Sequence, residues 1–166
     1  MRKLLLGLDI GSSSVKASLL DADTGKSIAA KAFPEEEMPI SAPQDGWAEQ
    51  DPEMWWKNAK EAIKFIFKKA EVKKGELQGI GIAYQMHGLV VVDKNQQVLR
   101  DSIIWCDSRA VELGNGAFET IGHDKSLKHL LNSPGNFTAS KLAWVKANEP
   151  AIYEKIDQVL LPGDFI

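Results

Sequence analysis

Cysteine is almost absent: Cys106 is the only one in 166 residues, so neither an internal disulfide nor a cysteine-based zinc site can form. Long apolar runs are missing too. Lys3 is followed by Leu4, Leu5 and Leu6, but Asp9 interrupts the run far short of a signal-peptide core or a membrane span, so a cytoplasmic location without membrane contact is expected. Basic charge is not in excess. The net charge of -3 argues against a nucleic-acid surface, which needs clustered Lys and Arg, and a small-molecule partner fits better. Neither a Walker-type Gly-Lys-Ser/Thr loop nor a G-x-G-x-x-G fingerprint occurs, which removes the common nucleotide motifs. What remains is ordinary: 44% apolar and 26% charged residues, in a length suited to one domain.

The apolar run from Lys3 to Ile10 and the alternating stretch from Ser14 to Leu20, joined across Gly11 to Ser13, predict a β-hairpin, with a third strand at Ser27 to Phe33. Between Pro34 and Pro52 there is little periodicity, and a long loop is expected. Asp51 and Pro52 open a helix whose Trp55, Ala59, Ala62, Ile63, Ile66 and Ala70 share one face, while Lys57, Lys60, Lys64 and Lys68 form a solvated side. Leu77 to Ala83 reads as a buried strand whose Gly79 and Gly81 allow close backbone approach, and Leu89 to Val92 reads as another. Val98 to Trp105 completes a hairpin across Lys94-Asn95-Gln96. Helices are expected at Arg109 to Thr120, Ser140 to Asn148 and Pro150 to Lys155, with a short strand at Gln158 to Leu161. A strand meander followed by strands alternating with helices implies a mixed-sheet α/β domain.

The segment Asp9-Ile10-Gly11-Ser12-Ser13-Ser14-Val15-Lys16 ends a buried strand in an acid and a turn of small residues. Phosphoryl transfer from ATP requires the triphosphate to be held closely, with its charge shared with magnesium. Gly11 allows the backbone to approach phosphates, Ser12, Ser13 and Ser14 offer amides and hydroxyls, Asp9 suits a hydrated Mg2+, and Lys16 is a further anion contact. Gly and Ser are equally ordinary hairpin residues, and on this segment alone the two readings are even.

This stretch resembles the first phosphate hairpin of the superfamily containing actin, hexokinase, Hsp70 chaperones and the FGGY carbohydrate kinases. Further stretches resemble the FGGY group, in one order along the chain: Gly46 to Trp56 (GWAEQDPEMWW), Gln85-Met86-His87-Gly88, Ile104-Trp105-Cys106-Asp107-Ser108-Arg109, Asn136 to Val145 (NFTASKLAWV) and Leu160 to Phe165 (LLPGDF). The resemblance implies a ribonuclease-H-like (actin-like ATPase superfamily) fold, with residues 1 to 166 as the N-terminal part of the first kinase domain. The rest of that domain and a C-terminal ATP-binding domain are expected outside this length. Cys106 and Asn136 depart from the usual pattern, as do Tyr84 and Gln85, and these changes bear on sugar preference.

The implied activity is transfer of the ATP γ-phosphate to the terminal hydroxyl of a ketopentose such as D-xylulose. L-ribulose, gluconate and glycerol are rival acceptors. An actin-like or chaperone ATPase would share the phosphate turn without needing the Met-His loop. An inactive structural fragment would self-associate, as a homodimer for instance, through an exposed sheet edge. Met86 and His87 are expected in the sugar pocket, since a neutral imidazole offers one donor and one acceptor to hydroxyls. Trp105, Asp107 and Arg109 are candidates for the same pocket. The competing reading has Asp107 capping the next helix and Arg109 pairing with it or with Glu112. The family's catalytic base is expected beyond the matched blocks, and Asp164 does not match it, so the 166 residues alone are expected to be inactive.

Overall fold

The computed structural model describes every residue from Met1 to Ile166. In chain order the elements are β1 (Leu4–Ile10), β2 (Val15–Asp21), β3 (Ser27–Phe33), β4 (Glu49–Gln50), α1 (Pro52–Lys69), β5 (Leu77–Tyr84), β6 (Val90–Val92), β7 (Ser102–Ile103), α2 (Val111–Ile121), α3 (His123–Leu130), a 3-10 turn (Pro134–Asn136), α4 (Thr138–Asn148), α5 (Pro150–Tyr153), β8 (Gln158–Leu160) and α6 (Pro162–Phe165). They fall into two compact units. One comprises residues 1–39, 53–85 and 166, and the other residues 40–52 and 86–165.

The first unit is a four-stranded mixed sheet in the order β3-β2-β1-β5. β2 runs antiparallel to both β1 and β3, and β5 returns through α1 to lie parallel to β1. Alternation places Leu4, Leu6, Leu8 and Ile10 of β1 and Val15, Ala17 and Leu19 of β2 in the core. α1 buries Trp55, Ala59, Ala62 and Ile66 at spacings of three and four, and its Phe65 meets Phe33 of β3 edge-on at 6.1 Å. The four lysines on its other side are exposed as expected. β5 departs from expectation. It is an edge strand, with Ile80 60% and Ile82 41% exposed, and nothing lies within 4 Å of a side chain built at Gly81. The run of apolar residues reads as a buried strand, but here only β1 flanks it.

The second unit is built on two short antiparallel pairs, β4 with β7 and β6 with β8. Its core gathers Leu89, Val91, Ile103 and Val145, with Leu142, Trp144 and Tyr153 packed against them. The hairpin expected over Val98 to Trp105 is only partly formed. A turn joins Asp93 to Gln97 and Val92 bridges Val98, but the regular strand is just Ser102–Ile103 and pairs with Glu49–Gln50. No helix is long and apolar enough to cross a membrane.

Candidate functional site

In the first unit, β1 delivers Asp9 to the end of the sheet, and the tight turn that follows owes its shape to Gly11. The Gly11 amide donates to Ser14 O at 3.1 Å, and a side chain at Gly11 would come within 3.0 Å of that oxygen. Ser13 O is also engaged, accepting from the Met38 amide at 2.8 Å. Pairing of β1 with β2 sets Asp9 opposite Lys16, whose Nζ lies 3.4 Å from Oδ2, with the two side chains 51% and 63% exposed. An ion pair that open is worth about 0 to 1 kcal/mol and leaves the carboxylate most of its acceptor capacity. Asp9 and Lys16 border a groove of about 480 Å³ that Gly7, Ser18 and Ala30 also line. Thus Asp9, Gly11, Ser12, Ser13, Ser14 and Lys16 all lie at or beside one turn.

In the second unit, Met86 and His87 form the loop that leads into β6. Met86 is 64% exposed, and His87 has φ of +59°, an uncommon conformation for a residue with a Cβ. Gly88 follows because a side chain there would meet Pro162 Cγ at 2.6 Å. The His87 ring stacks on Phe137 with centroids 4.7 Å apart and planes 23° from parallel. Partial burial, and then the nearby Lys141 ammonium, push the His87 pKa below its ordinary 6.5. The ring is therefore neutral at pH 7, the form that offers one donor and one acceptor.

Trp105, Asp107 and Arg109 follow β7 but have different surroundings. Trp105 is 46% exposed. Asp107 and Arg109 face inward, with side chains 0% and 1% exposed, and Arg109 Nη2 sits 2.7 Å from Asp107 Oδ2. Asp107 also accepts from the Arg109 amide at 2.9 Å and from the Ala48 amide at 2.6 Å. Arg109 Nη1 reaches Glu49 Oε1 at 2.7 Å, and Glu49 in turn pairs with Arg100, which contacts Glu149 at 3.1 Å. Above the guanidinium lies Trp47, 3.7 Å from its ring centre, and Trp144 stands at 4.9 Å. Arg109 therefore pairs with Asp107 and Glu49, not with Glu112. Asp107 forms a turn onto the Arg109 amide, while the helix cap itself is Ala110 without a side-chain bond.

Sequence reasoning left Glu49, Arg100, Phe137 and Lys141 without roles. Lys141 is fully buried, and burial, outweighing the pull of Asp107 and Cys106, draws its ammonium down to about 8. A lysine beside Leu142 in the first turn of a helix was the available signal, since that position favours anions.

Residues 4–166 match the FGGY family of carbohydrate kinases, N-terminal domain, and the chain belongs to that family. It is 37% identical over 163 residues to the xylulose kinases of Klebsiella pneumoniae and Escherichia coli (strain K12), a match covering 98% of this chain and 32% of each relative. The chain thus spans about a third of the length of the curated relatives it matches. Among solved structures, a xyloylose kinase from Brucella ovis superposes with a TM-score of 0.85 at 36% identity, covering 98% of this chain and 33% of that one. The mixed sheet with flanking helices is accordingly that of the actin-like ATPase fold, in agreement with the motif reading.

Proposed function

We propose that the protein phosphorylates a ketopentose, D-xylulose before others, with ATP as the phosphoryl donor. The observation that carries this reading is the Met86-His87 loop: an exposed methionine beside a neutral, ring-stacked imidazole, in a chain 37% identical to xylulose kinases along 98% of its length. In the reaction the oxygen of the terminal sugar hydroxyl attacks the γ-phosphorus, the bond from that phosphorus to the ADP bridging oxygen breaks, and the hydroxyl proton passes to a base. No residue of this chain is assigned as that base, and the Asp164 carboxylate already accepts from the Leu161 amide at 3.0 Å.

His87 and Met86 hold the sugar, with the Trp105 face as an apolar wall. Asp107 and Arg109 act from behind, anchoring the Trp47 loop and the segment that carries Trp105. The phosphates of ATP lie along Gly11, Ser12, Ser13 and Ser14, with Lys16 as an exposed counter-charge. Asp9 fits a hydrated Mg2+: its carboxylate is half exposed, its one close cation is 3.4 Å away, and no cluster of three acidic, His or Cys ligands exists to cage a metal. When bound, magnesium would neutralise charge on the phosphate oxygens.

A coupled ADP-release assay on the intact protein tests the assignment. D-xylulose should give the highest kcat/KM in a panel with L-ribulose, gluconate and glycerol. Faster turnover of another member of the panel would move the assignment to that sugar, and ATP hydrolysis indifferent to all of them would favour an actin-like ATPase.

A further inference from the structure

Lys141 is a cation with no carboxylate partner within ion-pair distance, fully buried in the first turn of α4, where the helix dipole disfavours positive charge. Its Nζ donates instead to two carbonyls, His87 O at 2.7 Å and Asn136 O at 3.2 Å. The first belongs to the residue held at φ +59°. Neighbouring side chains grip the same loops: Thr138 Oγ1 donates to Gly88 O at 3.3 Å, Asn136 Nδ2 donates to Trp105 O, and Phe137 carries the stacked His87 ring. One short segment, residues 136 to 141, thereby holds both the backbone and the imidazole of His87. An apolar side chain at position 141 would avoid the desolvation of a charge but would leave the His87 and Asn136 carbonyls without this donor, so the buried ammonium is tied to the conformation of the loop it holds.

We propose that Lys141 and Phe137 are positioning residues for sugar binding: Lys141 fixes the His87 carbonyl, Phe137 fixes the ring, and together they present the imidazole to the sugar in one orientation. The proposal rests on the sugar-kinase reading of the Met86-His87 loop. A loop that samples several conformations binds in proportion to its competent fraction, so preorganisation appears as sugar affinity and not as phosphoryl-transfer rate.

The test is steady-state kinetics of Lys141→Met, Phe137→Leu and His87→Ala in the intact protein, with folding checked by circular dichroism. Lys141→Met should raise the sugar KM by about tenfold, as a fall of the competent fraction to about a tenth requires, and Phe137→Leu by about threefold. The ATP KM and kcat of both should stay within about twofold, a split that general destabilisation would not produce. An unchanged sugar KM in folded Lys141→Met, with His87→Ala strongly impaired, overturns the positioning role and leaves the sugar reading intact. If Lys141→Met does not fold, Phe137→Leu decides by the same criterion. A sugar KM unchanged in His87→Ala overturns the sugar reading itself, and the proposal with it.

Discussion

At the turn after β1, Asp9 and Lys16 keep half or more of their side chains in water and meet only at 3.4 Å, whereas in the other unit Asp107 and Arg109 are 0% and 1% exposed and lock at 2.7 Å. The two regions place the same kinds of residue in opposite surroundings. Open charges with loose partners keep their hydrogen-bonding capacity for a ligand, and they contribute little to folding. Buried charges have that capacity taken up internally, so they define the shape of a loop and tolerate no loss of a partner. Arg2 and Glu76 are intermediate: the arginine is 41% and the glutamate 6% exposed, and the arginine also donates to Ala70 O and Glu71 O.

The largest effect that would break this contrast is at the buried pair. Arg109→Met should leave Asp107 without its cation and Glu49 with Arg100 alone, and destabilise the protein by about 3 to 5 kcal/mol, read by denaturant unfolding. A loss below about 1 kcal/mol would mean that the buried pair behaves like the exposed one. Asp9→Asn should do the reverse, lowering kcat about 100-fold, which is ~3 kcal/mol in the barrier, while unfolding stays within about 0.5 kcal/mol of wild type. Gly88→Ala should cost about 1 to 3 kcal/mol through overlap with Pro162, and its cost should vanish when Pro162 is replaced by Gly in the same protein.

The smallest effect is a pH dependence at the intermediate pair. Arg2, and then the Lys73 amide, hold the Glu76 carboxyl at about 2, below its ordinary 4.5. A depressed acid pKa stabilises the fold fully above 4.5, and that contribution is lost as pH falls through the window down to about 2. Glu76→Gln should flatten the stability profile in this window, as measured by thermal unfolding at a series of pH values.

Much of the first unit was legible because its periodicities are clean. Period-two burial in β1 and β2 and the spacing of Trp55, Ala59, Ala62 and Ile66 place those elements within a residue or two. The second unit was harder to read because its pairings are short and distant. β4 has two residues, and its partner β7 lies more than fifty positions later, so neither carries a local signal. β5 shows that an apolar run reports what a strand is suited to bury, not whether this chain buries it. Within the candidate site, the turn at Asp9 and the Met86-His87 loop stood out as motifs, while Lys141 did not. Lysines on a helix are ordinarily solvated, as the four on α1 are; the place of Lys141 in a first turn was its one mark in the sequence, and the tertiary structure shows it turned inward onto the His87 carbonyl.

The claim that the Met86-His87 loop holds the acceptor sugar is tested most directly by measuring the D-xylulose and ATP KM values of His87→Ala side by side. Loss of a donor and acceptor to a sugar hydroxyl should raise the D-xylulose KM by roughly tenfold or more and leave the ATP KM within about twofold. A D-xylulose KM equal to that of the wild type would contradict the account.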